Sequence, residues 1–307
     1  MRVEVLGFAW WNTGMSPNTA TGRATPQETG TAAEMLVLLG QMGLHFIALG
    51  EIAFSDIAAI KKLVDARLDG YVFLDTTNAA GRSRFDTCIA YRADAVQIVD
   101  NSDLVLKSGG RTTRIGQYFQ LVVRDEPKPF HIVVSHWPSR LSLHENAPKR
   151  IELGVRLRDK VNEIFEMEQD AHVILLGDYN DEPFDVSISE SLQATRDRRF
   201  VLKKPHLLYN PFWRHLSSYE HAGSEDKLSD PGTYFHGNGE LTRWRTFDHM
   251  MFSSSLLAGN TGWRLNERET RVVNIQPYTE MVQARKHVFD HLPIMSRVSR
   301  STTNGRL

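Results

Sequence analysis

The sequence is poor in cysteine, with Cys88 as the single one in 307 residues. One cysteine cannot form an intramolecular disulfide, and it excludes a zinc site built from several thiolates. The chain must therefore hold its fold by burying apolar side chains, which its length and its 41% hydrophobic content allow. Cys88 lies in a strand-like run, TCIAYR, and is expected to be a small buried hydrophobe.

Long apolar runs are also missing. No stretch approaches the roughly 18 consecutive apolar residues of a membrane-spanning helix, so the sequence predicts no membrane span. The first residues, MRVEVLGFAWWN, alternate like a strand and lack the apolar region and small-residue cleavage site of a signal peptide. Together with the single cysteine, these absences favour a cytoplasmic protein.

An excess of charge of one sign is absent too. Lysine and arginine number 36 against 37 aspartates and glutamates, which gives a formal net charge of -1. No chain-wide basic field therefore indicates a polyanionic partner, and any such prediction depends on local patches. The composition leaves the oligomeric state open.

What the sequence does contain is a succession of helix and strand patterns. Helical periodicity is found over 26–40, 56–68 and 148–168. Thr25 and Glu28 have the spacing of a capping box at the start of the first helix. In the third helix the inward-facing residues are predicted to be Ile151, Val155, Leu157, Val161, Ile164 and Phe165. Strand patterns dominate between the second and third helices.

The order of these patterns favours one α/β domain with mixed or antiparallel sheets, because several strands follow one another without a helix between them. RTFDHMMFSSS and HVFDHLPIMSRV are predicted as two final strands. The domain is predicted to cover residues 1–300, with residues 301–307 as a loose tail.

Polar side chains stand at the ends of strand-like runs. They are Asn12, Glu51, His136, Asp178, Asn180 and the pairs Asp248–His249 and Asp290–His291. Strand ends that converge at one rim form a polar pocket on a rigid scaffold. Carboxylate and amide oxygens suit Mg²⁺ or Mn²⁺, and histidines paired with aspartates can transfer protons. Each feature alone is more often a turn or a structural contact, and the order of all of them together favours metal-assisted attack of water on a phosphate ester.

In that order the motifs WWN, LGE, SHWPSR, LLGDYND, TFDHMMF and FDHLPI resemble those of the endonuclease/exonuclease/phosphatase superfamily, over residues 10–294. The resemblance implies a four-layer α/β sandwich, in which two mixed β-sheets pack face to face and helices flank them. It also implies a divalent-metal-dependent phosphoesterase that uses Mg²⁺ or Mn²⁺. One metal or two, and endonuclease or exonuclease action, both stay open.

The resemblance implies a metal site as well. Glu51 would be the main metal ligand, Asn12 would assist it directly or through water, and Asp290 would complete or support the site. Two positions depart from the family pattern, because Gly50 replaces the usual Gln and Phe289 the usual Ser or Thr.

The implied catalytic residues are five. They are His136, Asp178, Asn180, Asp248 and His291. His291, paired with Asp248, would activate water or stabilise the transition state, and His136 would contact the phosphate or the leaving group. Asp178 and Asn180 would orient the nucleophile and the phosphate. Asp86 could orient His136, although a salt bridge with Arg82 or Arg84 is the favoured interpretation.

The local basic and aromatic residues favour a nucleic-acid substrate, with DNA ahead of RNA. Arg140, Trp213, Arg243 and Arg245 are predicted to bind it, since cations track phosphates and aromatic rings stack on bases. The structural alternative is a solvated basic face with packed rings. Two other functions stay open: hydrolysis of a small nucleotide, inositol phosphate or phospholipid headgroup, and a catalytically silent nucleic-acid-binding module.

Overall fold

The computed structural model describes residues 3–16, 24–81, 83–108, 110–124, 126, 128–216, 232–238 and 243–300. The predicted tail, 301–307, lies outside these residues. The single domain predicted over residues 1–300 stays a prediction.

Strands and helices alternate irregularly along the chain. The strands are β1 (Val5–Asn12), β2 (Phe46–Gly50), β3 (Tyr71–Asp75), β4 (Asn78–Ala80), β5 (Ser83–Phe85), β6 (Cys88–Arg92), β7 (Val96–Ser108), β8 (Arg111–Val123), β9 (Phe130–His136), β10 (His172–Asp178), β11 (Ala194–Thr195), β12 (Leu208–Tyr209), β13 (Tyr234–Phe235), β14 (Trp244–Arg245), β15 (Asp248–Phe252), β16 (Trp263–Val272) and β17 (Ile294–Arg300). The helices are α1 (Pro26–Gln41), α2 (Phe54–Val64), α3 (Pro148–Met167), α4 (Arg198–Lys203), α5 (Ser254–Ala258) and α6 (Gln276–Ala284). A π-helical turn covers Ser187–Ser191 and a 3₁₀ turn covers Pro211–His215.

Two large mixed sheets form the centre of the molecule. One has six strands in the order β16-β17-β1-β2-β6-β3, and the other has seven in the order β11-β12-β15-β10-β9-β8-β7. The six-stranded sheet has one parallel pair, β1 with β2, and the seven-stranded sheet has two, β9 with β10 and β11 with β12; the other neighbouring strands are antiparallel. The prediction of mixed sheets is confirmed, and so is the four-layer sandwich that the family resemblance implied.

The side chains of β10 explain why that strand reads as a continuous apolar run. Ile174 and Leu176 point into the core between the two sheets, whereas Val173 and Leu175 pack under α3. Alternate residues of a strand face opposite sides, so a strand covered on both faces needs apolar residues throughout. On the facing sheet, β1 is likewise buried from Leu6 onwards.

The helices cover the outer faces of the sheets. The Thr25 side chain accepts a hydrogen bond from the Glu28 amide and the Glu28 carboxylate accepts one from the Thr25 amide, so the capping box at α1 is confirmed. On α3 the prediction that Val155 faces inward is wrong, since it is 41% exposed and Leu153 is buried in its place. In the described part of the chain, no helix has both the length and the apolar character needed to cross a membrane.

Candidate active site

The sheet topology brings the polar strand ends to one edge of the sandwich. Asn12, the last residue of β1, stands beside Gly50, the last residue of the parallel strand β2. In the other sheet Asp178 ends β10 beside His136, which ends the parallel strand β9. Asp178 also faces Asp248, because β15 begins where the antiparallel strand β10 ends. The predicted convergence of these ends follows from these registers.

The Asn12 amide joins the two sheets at this edge. Its Nδ2 donates to Glu51 Oε1 at 3.2 Å and to Asp178 Oδ2 at 3.1 Å, and it lies 3.5 Å from His291 Nε2. Its Oδ1 accepts a hydrogen bond from the Gly14 amide at 3.0 Å. In this conformation Asn12 holds two carboxylates together, so direct ligation of a metal by Oδ1 would require the amide to rotate.

His291 and Asp248 form the first of two buried histidine–aspartate pairs. His291 Nδ1 lies 2.8 Å from Asp248 Oδ2, and the Trp10 indole N–H donates to Asp248 Oδ1 at 2.6 Å. His291 Nε2 is left 3.7 Å from Asp178 Oδ2. Burial disfavours the imidazolium, but the carboxylates of Asp248 and Asp178 outweigh it and raise the pKa of His291 well above its usual value.

His136 and Asp86 form the second pair. His136 Nδ1 lies 3.0 Å from Asp86 Oδ1, and Nε2 lies 3.7 Å from Glu51 Oε1 and 4.0 Å from Asp178 Oδ2. Burial opposes the charge on His136, but Asp86 and then Glu51 and Asp178 raise its pKa to about 9. Asp86 is buried as well, yet His136 and Arg114 lower its pKa to about 2.

The ion pair of Asp86 differs from the one favoured by the sequence. Among the described residues its cationic partner, besides His136, is Arg114, whose Nη1 lies 3.1 Å from Asp86 Oδ1. Arg84 contributes its backbone carbonyl to Arg114 instead, and Arg82 lies outside the described residues. The interpretation as a salt bridge with Arg84 is therefore wrong. Asp86 stands in the position to orient His136.

The carboxylates at the centre of the site hold protons more tightly than usual. Burial raises the pKa of Glu51, and His136 offsets part of this effect. Burial also raises the pKa of Asp178 to about 6, against the opposing charge of His291. A carboxylate whose pKa is close to neutrality can accept a proton from water near pH 7.

Two site residues adopt a backbone conformation that few side chains favour. Glu51 has a φ of 50° and directly follows β2, and Asn180 has a φ of 51° and lies two residues after the end of β10. The Asn180 amide N–H donates to Asp178 Oδ1 at 2.8 Å, and its Nδ2 donates to the Trp137 carbonyl at 3.1 Å. Such strain is retained at sites where the surrounding contacts fix the geometry.

The donor set fits a hard divalent cation, and two groups of residues could hold one. Ligand atoms of Asp178, Asp248 and His291 lie within 4.8 Å of one another. Both oxygens of Asp248, however, already accept hydrogen bonds from His291 and Trp10. Among the described residues, the Glu51 side chain accepts a hydrogen bond from Asn12 and lies 3.7 Å from His136, and it is 19% exposed. Carboxylate oxygens open to water suit Mg²⁺ or Mn²⁺.

The third predicted metal ligand lies on the open side of the site. The Asp290 side chain is 47% exposed, and its Oδ1 lies 3.9 Å from His291 Nε2. Asp290 therefore lies beside His291 at the edge of the site. Its backbone carbonyl accepts a hydrogen bond from the Phe235 amide at 2.9 Å, which fixes the loop before β17.

Arg140 and Arg245, predicted to bind substrate, are engaged by acidic residues of the segment after β10. Arg140 Nη2 pairs with Asp185 and lies 3.4 Å from Asp181 Oδ1. Arg245 Nη1 lies 3.2 Å from Glu182 Oε2. These contacts place both side chains near the site but neutralise much of their charge.

Trp213 and Arg243, the other two predicted substrate residues, lie elsewhere on the surface. Trp213 is half-buried, packs edge to face against Phe184 at 6.2 Å, and carries the Arg196 guanidinium 4.7 Å above its ring. Arg243 is exposed, and its carbonyl accepts a hydrogen bond from the His236 amide at 2.6 Å.

Trp10 was missed by the reasoning from sequence, although one signal for it was present. A Cβ added at Gly50 would overlap the Trp10 ring, so the glycine that replaces the usual glutamine makes room for the indole. Phe289, the other departure from the family pattern, is buried and stacks on Trp11 with ring centroids 6.0 Å apart. Both departures are thus compensated by aromatic packing around the site.

Comparisons with known proteins agree with this architecture. A model of the Endonuclease/Exonuclease/phosphatase family matches residues 44–287. The mannosyl-6-phosphatase of Bacteroides thetaiotaomicron is 16% identical, with a TM-score of 0.60 over 96% of this chain and 99% of that one. The human Nocturnin catalytic domain with bound sulfate is 14% identical, with a TM-score of 0.60 over 98% and 97%.

The crystal structure of D. rerio TDP2 with a single-strand DNA product is 15% identical, with a TM-score of 0.57 over 96% of this chain and 99% of that one. At these identities the likeness shows the fold alone. A sequence search of curated proteins found no match.

Proposed function

Since this chain belongs to the endonuclease/exonuclease/phosphatase family, whose members are hydrolytic phosphoesterases, we propose that it is a divalent-metal-dependent phosphodiester hydrolase acting on nucleic acid, with DNA favoured. The observation that carries the proposal is the pair of histidines that face one carboxylate. His291 Nε2 and His136 Nε2 lie 3.7 Å and 4.0 Å from Asp178 Oδ2, and each has an aspartate on its other ring nitrogen.

The protonation states of Asp178, His136 and His291 assign each a different role in the reaction. Asp178, with a pKa of about 6, is ionised at neutral pH and accepts a proton from the attacking water. His136, with a pKa of about 9, carries a proton that it donates to the leaving oxygen as the phosphorus–oxygen bond breaks. The His291 imidazolium stabilises the negative charge that develops on the phosphoryl oxygens.

Glu51, with Asn12 and Asp290 near it, would hold the cation. Bound there, Mg²⁺ or Mn²⁺ would polarise the phosphoryl oxygens and lower the cost of the added negative charge. Asp248 and Asp86 keep their histidines in one orientation and favour a hydrogen on Nδ1 of each ring. Burial of both pairs excludes water, which strengthens these electrostatic interactions.

One surface region supports a nucleic-acid substrate, and another, beside the site, argues against it. Phe184 is 49% exposed and packs against Trp213, whose ring lies under the Arg196 guanidinium, an arrangement of rings and cation on which bases can stack. Arg140 and Arg245, by contrast, are neutralised by acidic neighbours and do not extend a basic track. The second observation favours the alternative, a phosphatase or phosphodiesterase of a small phosphoester.

A plasmid-nicking assay with Mg²⁺, run beside a panel of small phosphodiesters, tests the proposal. Nicking should require the metal and stop with a chelator, and Glu51→Ala and His291→Ala should each lower the rate by about 10³-fold or more. Arg156→Gln, on the exposed face of α3, is the control and should nick like the wild type. Turnover of a small phosphodiester without nicking would exclude DNA. No turnover of any phosphoester would contradict the hydrolase and favour the binding module.

A further inference from the structure

A cationic cavity lies beside the second histidine–aspartate pair. Its volume is about 740 Å³, within the range of sites that hold small molecules. Strands β4, β5 and β8, the loop after β9 and the first turn of α3 form its walls. Arg140, Trp213, Arg243 and Arg245, which were predicted to bind substrate, are not among the described residues that line it.

The lining of this cavity is suited to an anion. Arg84, Arg114 and Lys149 contribute positive charge, Thr112, Thr113 and Ser139 contribute hydroxyl groups, and none of the described residues that line it is acidic. This composition contrasts with the surroundings of Arg140, where three carboxylates neutralise one guanidinium.

Arg84 and Lys149 are the two cations of the cavity whose existing contacts are incomplete or weak. The Nε of Arg84 is buried and has no hydrogen-bond partner among the described residues, which is costly for a charged donor. Lys149 pairs with Glu152 on the same helix at 2.8 Å, but both side chains are about one-third exposed, so the pair is weak and exchangeable. An anionic ligand in the cavity would lie against the charged Arg84 side chain and compete with Glu152 for Lys149.

The cavity is joined to the candidate catalytic residues by two short contacts. Arg114, in its wall, lies 3.1 Å from Asp86 Oδ1, and the same oxygen lies 3.0 Å from His136 Nδ1. On the chain, Pro138 and Ser139 of the cavity lie two and three residues after His136. These contacts place the cavity one side chain away from the Asp86–His136 pair.

We propose that this cavity is a subsite for a second phosphate group of the substrate, held by Arg84 and Lys149 with hydroxyl groups beside them. The inference rests on the proposed function, since it places the scissile phosphate at His136 and Asp178. It narrows the substrate to a phosphoester that carries another phosphate. That phosphate is either the neighbouring phosphate of an oligonucleotide or the second phosphate of a small bisphosphate.

The test compares matched ligands with and without the second phosphate. The oligonucleotide arm measures kcat/KM with Mg²⁺ for the dinucleotide TpT and for TpT phosphorylated at its 5′ or 3′ end. The small-molecule arm measures calorimetric binding of thymidine 3′,5′-bisphosphate and thymidine 5′-monophosphate to the metal-free protein. The variants are Arg84→Gln, Lys149→Gln and both together, with Arg156→Gln as the matched change on the exposed face of α3.

In the wild type and in Arg156→Gln, the second phosphate should improve kcat/KM or affinity about tenfold or more, and in the double variant this ratio should fall towards 1. A preference in the TpT kinetics would identify the neighbouring phosphate of an oligonucleotide, and a preference in the calorimetry would identify a small bisphosphate. Equal values with and without it in the wild type, or a preference that survives in the double variant, would overturn the subsite.

The two proposals fail separately. If no oligonucleotide or small ester is hydrolysed but the bisphosphate preference is present and lost in the double variant, the hydrolase is wrong and the subsite stands. If TpT is hydrolysed but a second phosphate gives no preference, the hydrolase stands and the subsite is wrong. Thermal unfolding of each variant checks folding, and the single variants supply the ratio if the double variant is unstable.

Discussion

The two histidine–aspartate pairs have the same geometry but different electrostatic surroundings. In both, an aspartate oxygen lies about 3 Å from Nδ1 and leaves Nε2 facing Asp178. The aspartate of the first pair, Asp248, is supported by the neutral indole of Trp10. That of the second, Asp86, is supported by the charged guanidinium of Arg114.

The difference indicates which histidine depends more on its aspartate. Asp86 shares its charge between two cations, His136 and Arg114. Among the described residues, His291 is the one cation paired with Asp248. Trp10 donates a hydrogen bond to Asp248 but brings no positive charge. Removal of the charge from Asp248 should therefore affect catalysis more than removal from Asp86.

Asp248→Asn is expected to give the larger effect. An asparagine can turn its amide hydrogens towards His291 Nδ1, which would place the ring in the wrong tautomer, so kcat should fall by about 10³–10⁴-fold. Steady-state kinetics on the best substrate of the panel measure the loss. Asp170→Asn, which changes an exposed carboxylate, serves as the control. A loss below tenfold would mean that His291 does not need Asp248.

Asp86→Asn is expected to cost less, about 10–100-fold in kcat, as for other residues that orient a functional group from behind. The change also leaves the buried Arg114 guanidinium without its carboxylate, so the free energy of unfolding should fall by about 3 kcal/mol. Urea unfolding and kinetics on the same preparation separate the two effects. If Asp86→Asn lowered kcat as much as Asp248→Asn, the two pairs would be equivalent and the comparison would fail.

His172 gives a contrast to both pairs, because it is a buried histidine that no carboxylate of the described residues contacts. Its Nε2 lies 2.7 Å from Thr261 Oγ1, its Nδ1 has no partner among the described residues, and burial lowers its pKa to about 3. The unfolded chain therefore binds the proton more readily, so stability is complete above about pH 6.5 and falls as the pH drops towards 3.

Between pH 7 and pH 5, the free energy of unfolding should fall by about 1–2 kcal/mol less in His172→Gln than in the wild type. Urea unfolding at several pH values measures it, and His206→Gln, at an exposed histidine, is the control. An unchanged pH dependence in His172→Gln would show that burial does not hold this histidine neutral.

The longer apolar strands, the first helix cap and the order of the polar residues could be predicted because they are local patterns. The strand β16 (Trp263–Val272) could not, since a shift of register between Asn266 and Arg271 breaks the alternation that marks a strand. Its exposed positions also carry several charges, which hide the buried ones.

The supporting contacts of the site could not be predicted, because they join residues that are far apart in sequence. Trp10 and Asp248 are separated by 238 positions. For Asp86 the choice lay between a near arginine and His136, 50 positions away, and packing of the two sheets decided it. Arg140 was recognised as a cation, but only the fold shows that Asp181 and Asp185 neutralise it.

Glu51 is proposed to anchor a divalent cation near the two histidine–aspartate pairs, and the location of Mn²⁺ in crystals is the sharpest test of this assignment. Anomalous scattering at the manganese edge should give a peak about 2.1 Å from a Glu51 carboxylate oxygen, with Asp248 still bonded to His291 and Trp10. A peak bound to Asp248 and His291, with Glu51 unligated, would contradict the account.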